Sequence, residues 1–516
     1  MKKPSLLIIF LTVFIDLIGF GMVLPLLPRY IERFGEQGWK MGAIIASFSV
    51  MQLFLAPWWG RLSDRIGRRP VILISNAGST IAYAMFALSA APALSPATAL
   101  TVLLASRVFA GACGANISVA SAYIADITPP EKRSKGMGLI GVAFGLGFIL
   151  GPAIGALSAA YLGLAGPGWV ASGFCGANLL LAFAILVESR QPGAPGIVRP
   201  RLAQIGHTLG LPRVGFLVGL YFLATFCFAV FETTLPLLLG SPGLHPDDFT
   251  EPQALARKLT APADPVSVEL AARLAPDFRA SLVKANATSP AALRRGFYHE
   301  VNAVLGQTNL FDAAALAALK LPAEAAALRD GPQGRETRRR LNRLVLETAF
   351  PGEIKRQPYY FDERSVGYLF AFCGLMSAFI QGGMIGRLVK RFGEPKLIVA
   401  SLVIFGASLG WLPYTESVAT LLVALAIVSV GSGLNRAPTL GLVSIFTPAS
   451  EQGATLGVTQ SAGTLARILG PVFATTLYAE MPHSPYLAAA ALAVAAALLA
   501  WVRLPAKVDH STDTAK

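Results

Sequence analysis

Charge is scarce in this chain. Only 14% of its 516 residues are Asp, Glu, Lys or Arg, where average globular domains carry about 25%, so an ordinary soluble globular fold is excluded. Histidine is scarcer. The five are His207, His245, His299, His483 and His510, and none falls inside a long apolar run. A proton crossing such a run therefore needs a carboxylate to carry it. Cys113, Cys175, Cys227 and Cys373 all sit within apolar runs and the intervening segments hold none, which leaves neither a disulfide framework nor a Cys-x-x-Cys metal pair. They read as small packing residues.

What the chain has in abundance is apolar sequence, 54% of its residues, gathered in runs rather than alternating with polar positions. Runs long enough to cross a bilayer, ~20 residues each, lie near 5–28, 41–60, 71–91, 99–125, 136–160 and 168–188. A second set lies near 214–239, 364–386, 396–413, 418–446, 453–478 and 485–503. The first run carries Asp16 and lacks a small-residue cleavage site, so it reads as a retained helix rather than a signal peptide.

The formal net charge of +14 fits lysine and arginine held in cytoplasmic loops beside anionic lipid, not a nucleic-acid surface. Lys2, Lys3, Arg61 to Arg69, Lys132 to Lys135, Arg190 to Arg213, Arg387 to Lys396 and Arg503 share one side. The short loops of the other side, 91–96, 162–168, 413–417 and 480–484, hold neither lysine nor arginine; Arg29, Arg33 and Lys40 are the exceptions. This bias predicts that both termini are cytoplasmic.

The expected fold class is all-α: a membrane protein of twelve transmembrane helices in two pseudo-symmetric six-helix bundles, with an inserted helical soluble domain. The expected divisions are an N-terminal bundle (1–190), a cytoplasmic linker (191–213), a C-terminal bundle (214–503) and a cytoplasmic tail (504–516). The segment 241–362 interrupts the second bundle and is soluble in composition. By the count of spans it is extracytoplasmic. Spacing such as Leu341, Leu344 and Val345 suggests amphipathic helices broken at prolines. His245 with Asp247 and Asp248, and His299 with Glu300, lack a third ligand at metal spacing, so neither a metal nor enzymatic chemistry is expected here. A docking or structural role is the default.

Charged residues inside spans cost at least ~2.5 kcal/mol by insertion scales and need a reason. Asp16 lies about eleven residues into the first run, ~16 Å along a helix, and Arg107 at similar depth in the fourth. A buried carboxylate beside a cation can be poised to bind and release a proton; the alternative is a permanent hydrogen bond that only fixes packing. Glu232 lies toward the end of the seventh run, facing either a cavity or interfacial water. Arg436 and Arg467 are interior to the tenth and eleventh. In the fifth run Gly141, Gly145, Gly147, Gly151, Pro152 and Gly155 suit a smooth helix contact, and ordinary tight packing would read the same.

Two charged turns punctuate the halves: Gly60-Arg61-Leu62-Ser63-Asp64-Arg65-Ile66-Gly67-Arg68-Arg69 and a degraded copy, Gly386-Arg387-Leu388-Val389-Lys390-Arg391-Phe392-Gly393. The first of these, followed by Pro70, is similar to the loop signature of the major facilitator superfamily. Within that family the chain resembles the drug:proton antiporters of the tetracycline-efflux type. Phe14 to Gly21 through Pro25 and Pro28 resembles the first-span motif. Arg107 with Gly111 and Gly114 resembles the fourth-span motif. Gly147, Gly151, Pro152 and Gly155 resemble the fifth-span antiporter motif, with Ala156 in place of its final glycine. Tyr123 to Thr128 is similar to the tetracycline branch. The likeness covers both membrane halves and excludes the insertion.

This resemblance implies alternating access between two bundles, with substrate at their interface. It implies a proton-coupling pair in Asp16 and Arg107, and a cytoplasmic gate of Gly60, Asp64, Arg68, Asp126 and Arg133. Glu232, Gln381, Arg436 and Arg467 are expected as lining groups for substrate or proton. Ala82 stands where the tetracycline exporters carry an acid, and Ser377, beside a retained Gln381, where they carry a histidine.

The expectation is a bacterial inner-membrane carrier that exchanges protons for a small amphipathic or hydrophobic compound. Its partners would be the lipid bilayer, protons and a small molecule, with no nucleic acid, metal or cofactor. The rival readings are a proton symporter or facilitator for a sugar or other metabolite and, more distantly, a membrane protein whose insertion binds a periplasmic partner.

Overall fold

Apolar runs that enter lipid must satisfy their backbone polar groups internally, and a helix does this within one segment. A computed structural model describes residues 6–34, 38–114, 116–128, 133–189, 201–240, 243–244, 248–285, 288–307, 310–317, 319–330, 335–357, 360–361, 363–447 and 451–504. The helices that carry the membrane runs are α1 (Leu6–Val23), α2 (Gly38–Ile66), α3 (Arg68–Ser89), α4 (Pro96–Cys113), α5 (Asn116–Ile127), α6 (Arg133–Leu162) and α7 (Gly166–Ile185). They continue with α8 (Pro212–Gly240), α9 (Glu363–Ala378), α10 (Glu394–Trp411), α11 (Val418–Ile445), α12 (Gln452–Glu480) and α13 (Ser484–Arg503). Each of the twelve apolar runs falls on a helix, with α4 and α5 together making the fourth.

Among the described residues, nine helices are long and apolar enough to cross a membrane. A tenth joins them if Ser365–Gln381 and Ile385–Phe392, bent by 50°, count as one. The bend has a local cause, because Phe379–Met384 forms a π-helical turn and such turns kink a helix. Many large apolar side chains on these helices point outward, among them Phe54, Leu180, Phe183 and Leu375. On a soluble surface such a spread would favour aggregation; against lipid it is the expected face.

The repeat seen in the two charged turns is built into the backbone. Gly67 and Gly393 sit at the same place in the two copies, and both take positive φ, 106° and 77°. Each is the residue before a helix, α3 or α10. A side chain is strained in that region, which is why glycine stands at both.

The chain divides into two compact units. One comprises residues 1–238, 361–478 and 483–516, and the other 239–360 with 479–482. The second unit is helical, and its helices Pro252–Thr260, Pro265–Arg273, Pro276–Leu282 and Pro290–Leu305 each begin on a proline. Proline suits that position because the first helical N–H is unpaired anyway. Phe249 stacks on Phe297 at 5.5 Å, and Phe278 meets Phe297 edge-on at 5.3 Å. With Leu255, Val301, Val345 and Phe350 they form an apolar core. The start and end of the unit are tied by a short antiparallel contact, Thr250 N to Glu353 O at 2.9 Å and Lys355 N to Asp248 O at 2.7 Å. Its most deeply buried charge, among the described residues, is Arg343. That guanidinium donates to Glu347 at 2.6 Å, to Asp248 at 3.1 Å and to the carbonyl of Gly243.

Candidate functional site

The membrane unit encloses a cavity of about 230 Å³ walled by helices of both halves. Helices α1, α2, α3 and α4 contribute Asp16, Gln52, Tyr83 and Ala110; α8, α11 and α12 contribute Glu232, Asn435, Arg436 and Arg467 among others, and the π-helical turn after α9 contributes Gln381. Phe20, Phe48, Phe228, Phe231, Phe370 and Phe405 supply most of the apolar wall. A mainly apolar cleft with a few convergent polar groups is the usual form of a small-molecule site.

Four of the expected lining groups, Glu232, Gln381, Arg436 and Arg467, therefore share one cavity with Asp16. Arg107 is placed differently. Its guanidinium lies over the rings of Tyr83 and Phe86, 5.5 and 5.1 Å from their centroids, and Tyr83 in turn faces the cavity with Asp16. Arg107 itself lines a small side cavity, about 30 Å³, together with Glu232 and Arg467. It is 3% exposed. Its Nε reaches Ser106 Oγ only at 3.4 Å, and one of its terminal nitrogens is buried without a hydrogen-bond partner. Arg467 donates to Thr464 Oγ1 at 3.2 Å and lies within electrostatic reach of Glu232.

The halves meet closely at one end of this unit. A Cβ added to Gly42 of α2 would lie 2.6 Å from the carbonyl oxygen of Pro471 in α12, and would also meet Thr475. A Cβ added to Gly367 of α9 would lie 2.9 Å from the carbonyl oxygen of Pro152 in α6, and would also meet Ala156. In both cases the second helix of one half sets a glycine against the proline turn of the fifth helix of the other. The two contacts are related by the internal repeat. Only a glycine permits that approach. Gly42 lies roughly 27 Å along α2 from Gly60, where the charged turn begins, at helical rise, so these seals sit at the far end from it.

The expected antiporter motif divides its contacts. Gly147, Gly151 and Gly155 pack on Leu17, Gly21 and Met22 of α1, within one half, while Pro152 and Ala156 turn to Gly367 across the interface. At the other end of the unit Arg68 pairs with Asp64 at 2.5 Å and Asp126 at 3.1 Å. Asp126 also accepts from Ser189 Oγ at 3.1 Å, and Glu188 accepts from the backbone N–H groups of Arg68 and Arg69 at 2.8 and 3.1 Å. Gly60 has open space beside it. The side chain of Arg133 lies outside the described residues, as does His245.

Several site residues were not singled out from sequence. Tyr83 lines the cavity with Asp16 and lies under the Arg107 guanidinium, and Asn435 donates to Ser401 Oγ at 2.9 Å on the cavity wall. Asn435 adjoins Arg436 inside an apolar run, which is a signal that could have found it. Ser377, where the tetracycline exporters carry a histidine, lines the cavity and donates to the carbonyl of Ser429 at 3.2 Å.

Residues 9–259 and 340–516 match the sequence profile of the Major Facilitator Superfamily. The chain is 40% identical over 195 residues to the tetracycline resistance protein, class C, of Escherichia coli, over 37% of this chain and 47% of that protein. It is 31% identical over 288 residues to major facilitator superfamily domain-containing protein 10 of Mus musculus, over 46% of this chain and 60% of that one. The matched stretches span about half the length of these curated relatives. Among solved structures, the human organic anion transporter MFSD10 (TETRAN) superposes with a TM-score of 0.55 at 22% identity, over 96% of this chain and 100% of that one. A D-xylose-proton symporter superposes with a TM-score of 0.54 at 13% identity, over 97% and 98%. At such identities the superpositions speak for the fold alone.

Proposed function

The chain belongs to the major facilitator superfamily, and from that premise we propose that it is a proton-coupled exporter of a small amphipathic or hydrophobic compound. It works by alternating access from the bacterial inner membrane, with both termini in the cytoplasm. The observation that carries this reading is a cavity between the halves holding two carboxylates, Asp16 and Glu232, among apolar and aromatic walls. The likeness to tetracycline resistance proteins supports export of a drug-like compound.

Asp16 is the proton carrier in this account. Exchange requires that proton and compound favour different states of the two halves or compete for one. The glycine seals at one end and the Arg68 cluster at the other are the contacts whose making and breaking would bias those states. Residues 239–360 are read as a docking or structural module rather than part of the transport path.

The test is substrate-driven pH change in proteoliposomes over a panel of amphipathic compounds that includes tetracycline. Wild type is expected to move protons with at least one compound, and Asp16→Asn to lose at least about 90% of that flux, the tenfold change that a coupling free energy of little more than 1 kcal/mol represents. Full coupling in Asp16→Asn would move the role to Glu232. A panel that moves no protons in wild type would contradict proton-coupled export.

A further inference from the structure

The charges of the cavity are unevenly shared between its walls. Among the described lining residues the first half supplies one acidic or basic side chain, Asp16, while the second supplies Glu232 and two guanidiniums, Arg436 and Arg467. The side cavity adds a third guanidinium, Arg107, on the same Glu232 and Arg467. Three fixed cations thus face two carboxylates. The imbalance is sharpest at Arg107, which is 3% exposed and holds a buried nitrogen without a hydrogen-bond partner. Its ring contacts with Tyr83 and Phe86 offer partial negative charge but accept no strong hydrogen bond. A guanidinium has five donors in a planar fork, and a carboxylate or similar oxyanion is the group that matches it.

We propose that the cavity takes an amphipathic organic anion. Its oxyanion head sits against Arg467, within reach of Arg107 or Arg436, and its ring body lies on Phe20, Phe48 and Phe231. This deepens the transport reading above and rests on it in one respect, that the cavity is the substrate site. An anionic head balances the surplus cation and meets the unpartnered nitrogen. A neutral compound leaves the surplus in place, and a cationic one adds to it in a surrounding of low dielectric. Because Arg107 and Arg467 belong to opposite halves, the same head also bridges the two bundles.

Three probes with one ring system separate these cases: naphthylacetate, its primary amide, and naphthylethylamine. Each is titrated by calorimetry into the full-length protein in detergent near neutral pH. The carboxylate is expected to bind at least about tenfold more tightly than the amide, with the amine weakest. Arg467→Gln and Arg107→Gln should each weaken the carboxylate by a similar factor and leave the amide unchanged. An amide or amine that binds as tightly as the carboxylate overturns the proposal, and so does a cavity that binds none of the three. The ranking on wild type stands even where a variant fails to fold. No proton gradient is involved, so lost proton coupling in vesicles refutes the antiport reading alone, whereas a preference for the amide refutes the anion alone.

Discussion

Two buried arginines, one in each unit, have been given opposite surroundings. Arg343 is 2% exposed and its guanidinium is fully engaged, by Glu347, Asp248 and the carbonyl of Gly243. Burial alone would lower its pKa; the two carboxylates more than offset that, and the net direction is upward. A group raised on folding stabilises below its unfolded value, and this contribution is lost only as pH rises above the ordinary arginine value. The arginine's own charge is therefore constant through the neutral range. Arg107 is as deeply buried, yet it faces two rings, a distant hydroxyl and a cavity. Burying a charge is costly unless it is paired. The first arginine holds a module together, and the second keeps unspent hydrogen-bonding capacity where a ligand or proton can meet it.

The largest effect should come from breaking the paired site. Arg343→Ala leaves Glu347 and Asp248 facing each other without their cation, and about 3–5 kcal/mol of the second unit's stability should go. Hydrogen exchange on residues 335–349 of the full chain reads this directly, and protection equal to wild type would refute the structural role. Replacing Arg343, Glu347 and Asp248 together with apolar residues should restore most of that protection, because an apolar group leaves no charge exposed to a dry interior.

A middle-sized effect is expected at the glycine seals. Gly42→Ala or Gly367→Ala overpacks a helix crossing, at about 1–3 kcal/mol, on one side of a two-state balance. Spin labels at Trp39 and Tyr414, both exposed and in opposite halves, should then report a wider separation. The two variants should act alike, since the internal repeat relates their contacts. Unchanged distances in both would mean that the seals pack but do not bias the states.

The smallest effect is at the half-exposed cluster of the charged turn. Asp126→Asn removes one partner of Arg68 but leaves Asp64 at 2.5 Å, so stability should fall by less than about 1 kcal/mol. Transport should slow by more than that loss implies if the cluster helps to hold one state. A melting curve and a vesicle flux on the same preparation separate the two contributions.

Much of this could be read in the chain beforehand, for identifiable reasons. Lipid turns apolar run length directly into helices, so Pro212–Gly240 and Val418–Ile445 lie under runs visible by composition. The soluble insertion stood out because charge and proline return there. Asp16, Glu232, Arg436 and Arg467 stood out because ionised groups are rare in spans. What could not be read is which way a side chain turns. Asp16 and Arg107 have similar depth in their runs, yet Asp16 lines the main cavity while Arg107 lines the side cavity with Glu232 and Arg467. Depth along a helix is local; the face is decided by packing. Gly42 and Gly367 likewise look like any other membrane glycine until the fifth helix of the opposite half is set against them.

The central claim is that pairing, not burial, separates the charge that stabilises from the charge that works. Thermal melting of Arg107→Leu beside Arg343→Leu, each in the full-length protein, tests it most directly. Arg107→Leu strips no carboxylate of a hydrogen-bonded partner, so it should melt at or above the wild-type temperature while Arg343→Leu melts well below it. If Arg107→Leu loses as much stability as Arg343→Leu, Arg107 is a structural charge and the account fails.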